Sequence, residues 1–182
     1  MGKDRSTIDD AASEFIAAQH MFFVASAPLS AAGHINLSPK GLDTFRVLSP
    51  STVAYLDFNG SGVETIAHLK ENGRIVMMFC AFEGPPNILR IYGKGRVVEP
   101  VEDEFAELLK TFPAHEHPRS IIVVAVTRVT DACGFAVPRF KYMGERQQLI
   151  KWGRKAGAEG LKSYRARKNK RSLDGLPGIA GW

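Results

Sequence analysis

The spacing of apolar residues changes period several times along the chain, and each change marks a predicted element. Ile8, Ala12, Phe15 and Ile16 recur at helical spacing behind Thr7-Ile8-Asp9-Asp10, a capping-box-like start, and predict a helix over about residues 7–19. Residues 21–27 form an apolar run suited to a buried strand, and residues 28–33 carry turn chemistry. His34 to Ser38 alternates polar and apolar, as a strand with one buried face does, and Pro39-Lys40-Gly41 closes it. Further strands are predicted at 52–58, 74–80 and 88–98, the last interrupted by Gly93 and Gly95, which suggests a bulge or a close backbone approach. Helices are predicted over 61–72, with Val63, Ile66, Ala67 and Leu69 inward, and through Val101, Phe105, Leu108 and Phe112. The apolar run 121–126 reads as a fully buried strand, and 131–138 as a strand returning from it. A final helix is predicted from Glu145 to about Arg171, with Leu149, Trp152 and Ala156 on one face. Six or seven strands come mostly in succession, too irregularly mixed with helices for parallel βαβ units. The prediction is a mainly β chain of α+β class, a small antiparallel barrel with flanking helices and a helical C-terminal segment.

Composition narrows this picture without changing it. At 182 residues, with 45% hydrophobic and 24% charged residues, the chain has the make-up of one globular domain with an appended segment. It is long enough to bury a core without disulfide or metal staples. The two cysteines, Cys80 and Cys133, form no framework and no CxxC motif, which points to a reducing, cytoplasmic setting. No apolar run is long enough for a membrane span, and the first residues lack the features of a secretory signal. Charge is uneven: from Lys151 onward nine Lys/Arg face two acids, whereas the preceding 150 residues carry a net charge of −2. A basic tail can bind phosphates of nucleic acid. Here the absence of a repeated stacking pattern and of any helix-turn-helix or zinc-finger signature argues against it.

The candidate chemistry clusters in three places. Gly60-Ser61-Gly62 falls after a predicted strand and at the opening of a predicted helix, where free N–H groups and the helix dipole can cradle a phosphate. The competing reading is a capping box, Ser61-Gly62-Val63-Glu64, which would occupy the same donors. Lys40, held between Pro39 and Gly41 after Asn36 and Ser38, is a candidate to face an anion, and Arg90 beside Gly93 is a candidate second cation for the same rim. His115-Glu116-His117 brings two imidazoles close but offers no third ligand, so no metal site is expected. No catalytic residue is identified.

The runs 34–41, 52–62, 74–80 and 89–97, with Cys133-Gly134-Phe135-Ala136-Val137-Pro138, Gly144-Glu145-Arg146 and 172–178, resemble one branch of the pyridoxamine 5′-phosphate oxidase-like proteins. The resemblance implies an FMN-binding split β-barrel over residues 1–143. Residues 144–182 would be a basic helical extension packing on the barrel or on a partner subunit. It implies a homodimer with FMN in a cleft between subunits, and oxidoreductase chemistry on a small-molecule substrate. Asn36, Ser38 and Lys40 would lie along the flavin ring and ribityl chain, and Asn59, Ser61, Gly62 and Thr65 near the phosphate. Trp152 is a candidate to reach across from the partner. The chain departs from the family where a serine-arginine-lysine cluster grips the phosphate, since Val63, Glu64 and Thr65 stand there. Losing two charge-assisted bonds, each on the order of 1.5–3 kcal/mol, weakens FMN by roughly a hundred- to ten-thousand-fold unless other cations compensate. Lys40 and Arg90 are the candidates named for that task. The alternative to an enzyme is a split-barrel binding module for another phosphorylated ligand or a protein partner.

Overall fold

The computed structural model describes residues 4–179. Its twelve elements are β1 (Asp4–Arg5), α1 (Asp10–Ala17), β2 (Phe22–Ser26), β3 (Asn36–Lys40), β4 (Phe45–Ser49), β5 (Thr52–Asp57), α2 (Glu64–Asn72), β6 (Arg74–Cys80), β7 (Ile88–Val98), α3 (Asp103–Leu109), β8 (Ser120–Ala132) and α4 (Gln148–Lys168). All strand pairings are antiparallel, in the order β3-β2-β6-β7-β8-β5-β4, with β1 added to the far end of β8. This is a split β-barrel with flanking helices and a helical C-terminal segment.

Strand periodicity explains why the central strands read as continuous apolar runs. Along β5, Val53 and Tyr55 enter one core, with Phe22, Met77, Ile91 and Ile122, while Ala54 and Leu56 enter a second, with Val98, Phe105 and Phe112. β8 divides in the same way, Ile122 and Val124 to the first core and Ile121 and Val123 to the second. Both faces are therefore covered, and no polar alternation is required. Phe22, Phe45, Tyr55 and Phe79 fill the barrel with ring centroids 4.9–5.6 Å apart. The β7–β8 register shifts between Tyr92 and Gly93, where any Cβ would run into the Ala125 carbonyl and Val124. That glycine is required by backbone crowding, as the interrupted strand suggested.

Several boundaries differ from those predicted. α1 starts later, because Asp9 is its N-cap and accepts the Ala12 N–H at 2.8 Å. β8 runs on to Ala132, and the chain then leaves the sheet, so 131–138 is not a returning strand. β4 was not predicted; its residues are all half-buried and Phe45-Arg46-Val47-Leu48-Ser49 lacks a clean alternation. α4 begins at Gln148 and breaks at Gly157, whose φ of 63° and ψ of 179° only glycine adopts readily. No helix among the described residues is long and apolar enough to cross a membrane.

Candidate functional site

The strand β5 ends on Asp57, and residues 58–63 connect it to α2. Asp57 is 1% exposed and is held between cations. Lys40 Nζ lies 3.0 Å from its Oδ1, and Arg119 donates from Nε and Nη2 to its Oδ2 at 2.8 and 2.6 Å. Burial alone would raise the Asp57 carboxyl; the charges of Arg119 and Lys40 outweigh it and hold the group below the ordinary aspartate range. Arg119, itself buried, extends Nη1 to the Gly62 carbonyl at 2.8 Å, so one guanidinium ties the end of β5 to the residue before the helix cap.

A further cation reaches the same connection from α4. Arg165 Nε donates to Asn59 Oδ1 at 2.6 Å, and Asn59 Nδ2 donates to the His117 carbonyl at 3.0 Å. Asn169 Nδ2 donates to the Gly60 carbonyl at 3.0 Å. Burial and the nearby charge of Arg119 both push the Arg165 guanidinium down from its ordinary value. Lys40 and Arg119 already outnumber the one carboxylate they share, Asp57, and Arg165 adds its positive field to theirs around residues 57–62.

The start of α2 completes the cluster. The expected capping box does not form: Val63 is the N-cap, and no side-chain cap bond is made there. Ser61 lies too early to cap, and Glu64 is the first helical residue rather than the fourth of the box. The Glu64 carboxylate instead accepts the Leu173 N–H at 3.2 Å, and it also lies against Gly62. The first-turn N–H groups of α2 therefore lack the side-chain partner the sequence offered them, and the helix dipole places partial positive charge beside the arginine cluster.

Asn36, Ser38 and Lys40 follow one another on a single face of β3. Their antiparallel partners Ser26, Val24 and Phe22 are buried, so the face is the one covered by α2. Asn36 Nδ2 donates to Thr65 Oγ1 at 2.8 Å, and Ser26 Oγ meets His68 Nδ1 at 2.9 Å. The structure thus joins Asn36 to Thr65, Lys40 to Asp57, and Asn59 and Gly62 to the two arginines; Ser61 lies in the same connection. Trp152 is on α4, edge-on to Tyr164 at 4.9 Å, and lines a cavity of about 100 Å³ with Phe58, Asn59, His115 and Leu161. Arg90 shares none of these contacts. Its row runs through Met78 and Phe23 to Pro39, level with Lys40 but on the opposite face of the sheet. The cations that stand beside the helix start are Arg119 and Arg165, neither of which the sequence pattern assigned to the site. Arg119 carried one usable signal, a lone cation immediately before a strand of six apolar residues. Arg165 was one of nine cations in the tail.

Comparison with known proteins agrees with this architecture. The family described as pyridoxamine 5′-phosphate oxidase matches residues 8–133. A pyridoxamine 5′-phosphate oxidase family protein of Aspergillus flavus, ustO, is 40% identical over 178 residues, covering 88% of this chain and 71% of that protein. HupZ of Group A Streptococcus has a similar fold: its structure superposes with a TM-score of 0.55 at 20% identity, over 69% of this chain and 94% of HupZ. A single-residue variant of HupZ gives the same TM-score at 21% identity, over 69% of this chain and 99% of that one. The chain belongs to the pyridoxamine 5′-phosphate oxidase family.

Proposed function

We propose that the chain is a homodimeric FMN-binding flavoprotein, an oxidoreductase acting on a small substrate. The observation that carries this reading is the Arg119 guanidinium, fixed by Asp57 and Gly62 beside an α2 N-terminus that no side chain caps. A doubly charged phosphate suits that positive field and those donors. FMN, when bound, supplies hydride or electron transfer. The chain's own part is to hold and orient it: Arg119 and the first turn of α2 take the phosphate, while Asn36, Ser38 and Lys40 present polar groups along β3 toward the ribityl chain and ring. Ser61, Gly62 and Thr65 line the phosphate end, and Asn59 holds the connection in place.

The dimer reading rests on β3, which ends the sheet and exposes Leu37 (65%), with Ile35 (77%) just before it, beside these polar positions. A second copy covering that edge would remove both apolar side chains and the open strand from water. The two thiols are unpaired, in keeping with a reducing cytoplasm. Purified protein incubated with FMN is expected to keep a flavin absorption band after desalting and to melt at higher temperature. A colourless protein with an unmoved melting curve at high micromolar FMN would overturn the reading.

The Glu64 carboxylate, lying against Gly62, favours a second reading in which the cleft serves another phosphorylated ligand or a protein partner without catalysis. The variant Glu64→Arg separates the two. Flavin binding in the natural chain supports the first reading, and binding that appears only in the variant supports the second.

A further inference from the structure

The first part of α4 and the loop over residues 114–117 enclose the small cavity beside Trp152, which the flavin reading does not use. We infer that this cavity is a second binding site, one that takes a single aromatic ring bearing a hydroxyl group, the class of phenol. The inference stands apart from the flavin reading, and its test needs no flavin.

The cavity lies in the bend of α4. Leu149, Ile150 and Trp152 line it from before the break at Gly157, and Leu161 lines it from after the break. Phe58, just beyond β5, adds a second aromatic ring to the walls. Leu161 is 1% exposed and Trp152 is 36% exposed, so the cavity is deep on the Leu161 side and opens beside the indole. Its volume of about 100 Å³ is on the scale of apolar cavities that hold one benzene ring. Walls of this kind favour an aromatic occupant, which leaves water and packs its edge or face against Phe58 and Trp152.

One polar atom gives the walls their chemistry. His115 sits edge-on to Phe58, ring centroids 5.4 Å apart, and its Nε2 is sealed from water with no hydrogen-bond partner among the described residues. Such an atom costs stability until something bonds to it. A neutral imidazole nitrogen donates or accepts according to its tautomer, and a hydroxyl answers either. An ammonium or a carboxylate would instead bring a charge against apolar walls. Asn59 and Arg154 also line the cavity but are engaged. Asn59 bonds the His117 carbonyl and Arg165, and Arg154 Nε donates to Glu116 Oε2 at 2.9 Å. The Arg154–Glu116 pair ties α4 to the loop through exposed side chains, a weak latch that a ligand can pass.

The backbone around the cavity is strained. Three non-glycine residues among those described have positive φ, and two of them, Leu42 at 63° and His117 at 57°, line it. A bulky leucine is rarely held in the left-handed region, and strain of this kind collects where a ligand is clamped.

The test follows the indole N–H signal of Trp152 by NMR while phenol, or toluene of nearly the same shape, is added to the full chain. Phenol is expected to shift that signal saturably and to bind roughly 5- to 50-fold more tightly than toluene. In His115→Phe the preference is expected to shrink to about twofold or less. No saturable shift with phenol, equal affinity for the two compounds, or a preference kept in His115→Phe would each overturn the inference. Should His115→Phe fail to fold, Gly153→Leu decides. Gly153 lines the cavity on α4, and a Cβ there meets nothing within 4 Å, so the added side chain enters open space without a clash. That variant is expected to lose the phenol-induced shift, and a shift that persists would place the ring elsewhere and overturn the inference.

Discussion

The two ends of β8 carry the same kinds of side chain and use them differently. At Ser120 the strand meets Asp57, Arg119 and Lys40, a cluster whose acid and arginine are almost wholly buried. At the other end Arg128 pairs with Asp4 at 2.7 Å, exposed to water, and the half-buried Arg5 pairs with Asp131 at 2.6 Å, where β1 joins the sheet. Exposed pairs are screened and add little to stability, so the far end needs only to close a strand edge. Buried charges are costly to desolvate, and a fold that gathers more cations than acids at one buried point has retained them against that penalty. The difference is the reason for proposing the Ser120 end as the ligand site.

Breaking the buried end should have the largest effect. Asp57→Asn leaves Lys40 and Arg119 without their acid, and a loss of about 3–5 kcal/mol is expected in urea unfolding. Acid pH should act in the same direction. The Asp57 carboxyl is depressed in the folded chain, so its contribution is complete above the unfolded-state value. It is lost as pH falls through the lower folded one. The melting temperature should therefore drop more steeply below about pH 4 in the natural chain than in Asp57→Asn. At the opposite end, Asp131→Asn should change stability by no more than about 1 kcal/mol, because its partner Arg5 remains in contact with water and with Asp9. Arg90→Gln should have the smallest effect on the ligand, altering FMN affinity less than about twofold. That is the behaviour expected of a residue on the face of the sheet opposite Lys40.

The contrast also explains which features could be read from the sequence. Continuous apolar runs locate β5 and β6, and a helical apolar spacing locates α2, because burial writes a signal into neighbouring residues. β4 escaped because half-buried positions carry no such repeat. The extent of β8 escaped because its far half is held by β7 and β1 rather than by an apolar run. Asn36, Lys40, Asn59 and Gly62 all lie within single loops or strands; Lys40 and Gly62 were singled out by local motifs, and Asn36 and Asn59 by the family resemblance. Arg119 and Arg165 were not, since their meeting depends on the start of β8 and the last turns of α4 packing on one loop. The false capping box at Ser61 has the same origin: the residue types are right, but α2 starts at Glu64, and only the fold sets that boundary. In the same way, the sequence does not show that Glu64 accepts the Leu173 N–H, 109 positions away in the chain, while its carboxylate stays against Gly62.

A crystal structure of the protein soaked or grown with FMN tests the location of the site most directly. The expected result is a phosphate seated at the first turn of α2, in hydrogen-bond reach of the Thr65 N–H and of the Arg119 or Arg165 guanidinium. Flavin density at the Arg90 end of β7, or with its phosphate away from the first turn of α2 and from both arginines, would contradict it.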